Sequence, residues 1–131
     1  MPKYQARCSC GQLNAVVQAD PLQVFVCHCF DCQRRTGSAF GHQALFEQES
    51  VHIEGESREY TQIGDEGFSV TFNFCPCCGS QVWYRAERAK GMIGIPIGAF
   101  ADADFPAPRT SIYESRKHPW VELVGDVKRL P

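Results

Sequence analysis

The sequence predicts a mainly β, antiparallel domain with little helix, tied together by metal. Two observations carry that reading. Apolar residues recur with a period of two along most of the chain, and eight cysteines gather in three tight clusters. A length of 131 residues suits one domain with its own core. No repeat recurs at solenoid or propeller spacing, and no Gly-, Ser- or Pro-rich linker divides the chain. Residues 1–131 are therefore read as a single zinc-binding β domain.

The elements follow in order. Lys3–Arg7, Leu13–Gln18 and Gln23–Val26 read as strands, with Pro21 as a break between the last two. Phe30–Arg35, just past the middle cysteine cluster, is the one helical turn, and Gly37 is a good C-terminal stop for it. Phe40–Phe46 and Arg58–Gln62 are strands again. In Gly67–Phe74, the residues Phe68, Val70, Phe72 and Phe74 alternate with smaller or polar ones, which predicts one buried face. Gln81–Arg85, Met92–Ile97 and Thr110–Glu114 complete the set. Gly55, Gly64, Gly91, Pro106 and Pro108 mark turns between them.

A net charge of −2 gives no compositional reason for a nucleic-acid or membrane partner. The basic residues come in small groups, Arg34-Arg35, Arg116-Lys117 and Lys128-Arg129, with acidic residues dispersed between them. The longest nearly apolar run, Met92–Ala101, is too short to span a bilayer. Met1–Cys10 is polar and basic and has no apolar segment, so no signal peptide is expected and a cytoplasmic location is. In that reducing setting cysteines favour metal over disulfides.

The first cluster is Cys8-Ser9-Cys10-Gly11 and the third is Cys75-Pro76-Cys77-Cys78-Gly79. A metal knuckle needs a residue that tolerates positive φ just past its second cysteine, so that backbone N–H groups turn back onto the sulfurs. Gly11 and Gly79 supply it. Paired, the clusters offer Cys8, Cys10, Cys75 and Cys78 as a closed, structural zinc site. Its ligands lie far apart in sequence, so the crosslink removes much freedom from the unfolded chain. Cys77 is left spare, because C-x-x-C is the commoner knuckle spacing.

The middle cluster, Cys27-His28-Cys29-Phe30-Asp31-Cys32, has three cysteines and no knuckle glycine after the last. Three sulfurs with a vacant fourth position are how a catalytic zinc is built. The competing reading is a second closed site, completed by Cys77, His28, His42 or His118. His28 sits between two ligands and is expected to point away, and His42 equally suits a strand histidine.

Three thiolates on Zn²⁺ leave a charge of −1, which suits a soft ligand better than it suits activating water. A substrate thiol entering the fourth position loses its proton and becomes a held nucleophile. Thiol addition to an electrophilic carbon, or its reverse, is the chemistry expected. Arg34 and Arg35 are candidates to bind substrate carboxylates, and the Gly37-Ser38 backbone to donate N–H groups to an anion. Surface arginines in a solvated turn are the plainer account of the pair. Trp120, approached through the extended Pro119, is a core residue or else a substrate wall, the core being the commoner role.

C-x-C-G from Cys8, C-H-C-x-x-C-x-R-x-x-G-S from Cys27, F-C-x-x-C-G-S from Phe74 and K-x-P-W from Lys117 resemble the glutathione-dependent formaldehyde-activating enzyme family, whose relatives include centromere protein V. The motifs run from Cys8 to Trp120. The resemblance implies a β-tent fold around a structural zinc at Cys8, Cys10, Cys75 and Cys78, and a catalytic zinc at Cys27, Cys29 and Cys32. It also implies a carbon–sulfur lyase that joins glutathione to formaldehyde or a related aldehyde, and is compatible with a homodimer. The alternative function is a non-catalytic, zinc-stabilised protein-binding module with both metals structural.

Overall fold

A computed structural model describes residues 2–131 of the chain. Eleven strands and one α-helix form two sheets. The smaller sheet has the order β1-β2-β5, with β1 at Tyr4–Arg7, β2 at Asn14–Val17 and β5 at Val51–Glu54. The larger one comprises β3 (Gln23–Cys27), β4 (Gly41–Glu47), β6 (Arg58–Ile63), β7 (Ser69–Phe74), β8 (Gln81–Ala86), β9 (Met92–Pro96), β10 (Thr110–Ile112) and β11 (Lys128–Arg129). Its order is β11-β10-β3-β4-β9-β8-β7-β6. Helix α1, Phe30–Thr36, follows β3 directly.

Pairing is antiparallel except at one edge, where β10 runs parallel to both β3 and β11. The segment 113–127 between β10 and β11 provides the crossover that consecutive parallel neighbours require. All nine expected strands and the helical turn are present within a residue or two, except that the end of Thr110–Glu114 leaves the sheet and Glu114 begins a 3-10 turn. Two strands were not expected. In β5 only Val51 and Ile53 turn inward, while His52 and Glu54 are exposed, so a four-residue alternation is hard to tell from a polar turn. β11 is two residues long and both are exposed.

The core lies between the sheets. Ala6, Ala15 and Val17 from the small sheet meet Val24, Ala44, Phe46, Val82, Ile93 and Ile95 from the large one. Tyr4, Phe46, Phe100 and Phe105 close one end of it, Phe100 stacking on Phe105 at 4.4 Å. Cys8 and Cys75 belong to the same buried set, so the first and third clusters join the two sheets at the core boundary. Leu45 alternates with Ala44 and Phe46 and packs with Phe72 and Tyr84 in a second, smaller cluster. The single buried face expected of Gly67–Phe74 is only partly present. Phe68 precedes the strand and is 43% exposed under Arg88, whereas Phe72 and the polar Asn73 are buried. A register shift at Asn73/Phe74 breaks the alternation just before the third cluster.

Candidate metal centres

The first centre is built by two turns that meet. In the β1–β2 turn the Cys8 N–H donates to Leu13 O, and Gly11, at φ 85°, sends its N–H back to Cys8 O. In the β7–β8 turn Gly79, at φ 80°, repeats the move onto Cys75 O. The sulfurs of Cys8, Cys10, Cys75 and Cys78 all lie within 4.8 Å of one another, a group able to hold a metal ion. Donors turn onto them as the knuckle geometry requires: Leu13 N–H onto Cys8 Sγ at 3.3 Å and Cys77 N–H onto Cys75 Sγ at 3.4 Å. Cys77 itself stays outside the group and is exposed.

One contributor was not legible beforehand. Gln12, next to the knuckle glycine, donates to Cys75 Sγ at 3.0 Å and clamps the Glu56 backbone from both ends of its amide, at 2.7 and 2.9 Å. It ties the centre to the turn after β5. Only its position beside Gly11 hinted at this.

The second centre sits where β3 ends. Cys27 is the last residue of β3, Cys29 caps α1, and Cys32 lies in the first turn of that helix. Their sulfurs also lie within 4.8 Å of one another. The Cys29 sulfur accepts the Cys32 N–H at 3.3 Å, so the helix cap and the cluster are one feature. Hydrogen bonding with the Cys27 and Cys32 thiols, then with the backbone N–H groups of Cys32 and Asp31, pulls the Cys29 thiol down to about 2. The same hydrogen bonds to Cys29 and Cys32, followed by burial, push the Cys27 thiol up. None of the eight cysteines is in a disulfide.

None of the four residues considered as a fourth ligand joins this group among the described residues. His28 is fully buried and turned away, its Nε2 2.9 Å from the Ser111 hydroxyl, which also bonds Glu114. Burial lowers its pKa, against the opposing pull of the Glu114 carboxylate. His118 pairs with Gln33 Oε1 at 2.9 Å. His42 Nδ1 accepts the Gly98 N–H at 3.4 Å. Cys77 stands at the first centre. The second centre is a three-sulfur group beside a four-sulfur one.

The other expected site residues lie around α1 with different duties. The Gly37 and Ser38 N–H groups are taken up locally, by Gln33 O at 2.9 Å and Thr36 Oγ1 at 3.1 Å, so they close the helix and are not free for an anion. Arg34 is exposed. Trp120 is 74% exposed, which corrects the core reading. Its ring lies tilted against that of His118, with centroids 5.4 Å apart, and His118 is tied through Gln33 to α1. Arg35 turns inward. Its guanidinium lies 4.2 Å over the Phe72 ring, Nη1 donates to Gln81 Oε1 at 2.6 Å, and Nη2 lies 3.6 Å from Cys32 Sγ.

Two glycines make room for these side chains. A Cβ on Gly41 would come within 3.0 Å of Cys32 Cβ, and one on Gly94 within 2.0 Å of the Tyr84 ring. A cleft of about 520 Å³ opens beside Cys8 of the first centre and reaches Arg35 of α1. Arg7, Ser9, Arg35, His42, Gln43 and Ser80 line it, and no carboxylate does, so it suits an anion.

A mainly β domain with one four-cysteine group and one three-cysteine group is the class that fold and site define. The model of the glutathione-dependent formaldehyde-activating enzyme family matches residues 3–116, and the chain belongs to that family. The crystal structure of a Rhodobacter sphaeroides protein solved as a structural genomics target has the same fold, with a TM-score of 0.57 at 20% identity over 80% of this chain and 92% of that one. No curated protein matches the chain significantly. No helix among the described residues is long and apolar enough to cross a membrane.

Proposed function

We propose that both centres hold zinc and that the second makes or breaks a carbon–sulfur bond between a small thiol, glutathione foremost, and formaldehyde or a related aldehyde. The observation that carries this is the inequality of the two sulfur groups: four cysteines close the first, and three form the second. The donor sets fit the metal, being all sulfur and supplied by tight turns that aim N–H groups at the ligands.

Zinc bound at Cys27, Cys29 and Cys32 supplies one thing, a lowered proton affinity for a thiol placed beside it. In the balanced reaction the thiol sulfur bonds to the carbonyl carbon, the carbon–oxygen π pair moves to oxygen, and that oxygen takes a proton equivalent to the one the thiol gave up. The reverse reaction returns thiol and aldehyde. The chain orients the partners. Cys29 as helix cap fixes the middle sulfur, and the carboxylate-free cleft, with Arg7 at its wall, accepts the charged end of the thiol.

Magnetisation exchange between labelled formaldehyde and its glutathione adduct tests this. Wild-type protein is expected to speed the exchange, and Cys29→Ser to lose that effect while keeping the wild-type circular dichroism spectrum. Exchange speeded equally by Cys29→Ser would sink the proposal.

A further inference from the structure

We infer that Arg35 is a positioning residue that balances the charge of the second centre, so that a fourth thiolate can bind there, and is not a clamp for the substrate's carboxylates. This rests on the zinc-bound second centre proposed above. A carboxylate clamp needs a free guanidinium fork. In Arg35 both terminal nitrogens are engaged by the protein. Nη1 donates to Gln81 Oε1 at 2.6 Å, Nη2 faces Cys32 Sγ at 3.6 Å, and the Gln43 amide, turned to satisfy both its ends, places its oxygen 3.2 Å from Nη2. Phe72 covers the plane of the guanidinium at 4.2 Å. Four elements therefore fix one cation against one sulfur: α1, β4, β7 and β8.

The charge count supplies the reason. Three thiolates and a divalent cation sum to −1, and a fourth thiolate makes −2 in a site where Cys27 is buried and Cys29 and Cys32 are half-buried. Crowding like charge away from water opposes the deprotonated form of an incoming thiol. Among the described residues, Arg35 is the cation that touches a sulfur of this centre. It restores −1 in the loaded state. Gln81 comes three residues after Cys78, so the turn that builds the first centre also positions the acceptor that holds Arg35.

The test uses full-length protein with zinc in the first centre and Co²⁺ in the second, reading the sulfur-to-cobalt charge-transfer absorption. Two thiols are titrated, glutathione and 2-mercaptoethanol, the latter having no carboxylate. Arg35→Met is expected to weaken both by the same factor, about 10- to 100-fold, as is typical when a group bonded to a metal-ligating side chain is lost. Arg35→Lys, which keeps the charge, is expected to recover part of the loss for both. A loss confined to glutathione would make Arg35 a carboxylate clamp and overturn the inference, as would no loss for either thiol. Should Arg35→Met not fold, Gln81→Met loosens the cation without removing it, and a smaller loss shared by both thiols is expected; a glutathione-only loss, or none, again overturns the idea. Absence of the cobalt band in wild-type protein overturns the proposed function together with this inference, whereas a normal band with unaltered thiol binding in the variants overturns this inference alone.

Discussion

The Tyr84 ring lies across Gly94 on the neighbouring strand, so close that a Cβ there would stand 2.0 Å from Cζ and 2.2 Å from Cε1. Tyr84 packs with Leu45 and Phe72, and Arg35 stacks on Phe72, so the ring backs the wall behind the second centre. Gly94→Ala leaves the ring nowhere to go without moving that wall. The expected outcome is a loss of about 1–3 kcal/mol, the usual range for overpacking a close-packed core, seen as a lower denaturant midpoint at unchanged slope. A midpoint equal to wild type would show that the ring relocates freely.

Gly41 makes the same kind of room directly beside Cys32 of the second centre. A Cβ there would meet Cys32 Cβ at 3.0 Å and Sγ at 3.3 Å. The contact is tight but not prohibitive, so Gly41→Ala is expected to fold and to displace one ligand by a few tenths of an ångström. Affinity for metal at the second centre should fall by about tenfold, with the first centre unaffected. Competition with a chromophoric chelator, which resolves the two classes of site, checks it.

Much of this was legible in the residues, and the reasons differ by level. The strands are written in period-two alternation, and the knuckles in a cysteine–glycine spacing that only a positive-φ turn explains. Local chemistry settles such features, and sequence shows local chemistry. Arg35 shows where legibility stops. As a residue type beside a metal cluster it reads as a substrate clamp or a plain surface arginine. Its partners Phe72 and Gln81 are more than thirty-five residues away and arrive through sheet pairing. Gln12, Gly41 and Tyr84 carry no sequence signal for the same reason, since each matters through a contact made by the tertiary fold. Trp120 erred the other way: the frequent burial of tryptophan was overridden in a short irregular segment that crosses the surface.

The two centres should separate cleanly on mutation. Cys8 and Cys75 are buried in the main core and join its two sheets, whereas no residue of α1 is buried. Cys8→Ser is expected to lose one zinc per chain and roughly 4 kcal/mol or more of stability, because metal binding at a closed site is folding energy. Cys29→Ser is expected to lose one zinc as well but to stay within about 1–2 kcal/mol of wild type. Metal analysis paired with urea unfolding decides it, and equal destabilisation by the two changes would contradict the division of labour.

The unequal thiols of the second centre give a pH signature once metal is withdrawn from it. Hydrogen bonds from its neighbours lower Cys29 to about 2, while Cys27 is pushed up and buried. A lowered pKa means that the thiolate persists as pH falls, until the pH approaches that value. An ordinary thiol instead loses about tenfold in thiolate, and in alkylation rate, for each unit below its pKa. Iodoacetamide should therefore label Cys29 at a rate nearly constant from about pH 4 to 7, with Cys27 unmodified throughout. Peptide mapping by mass spectrometry over that range checks it. A Cys29 rate that climbs tenfold per pH unit would mean that the thiol is ordinary and that its place at the cap of α1 does not activate it.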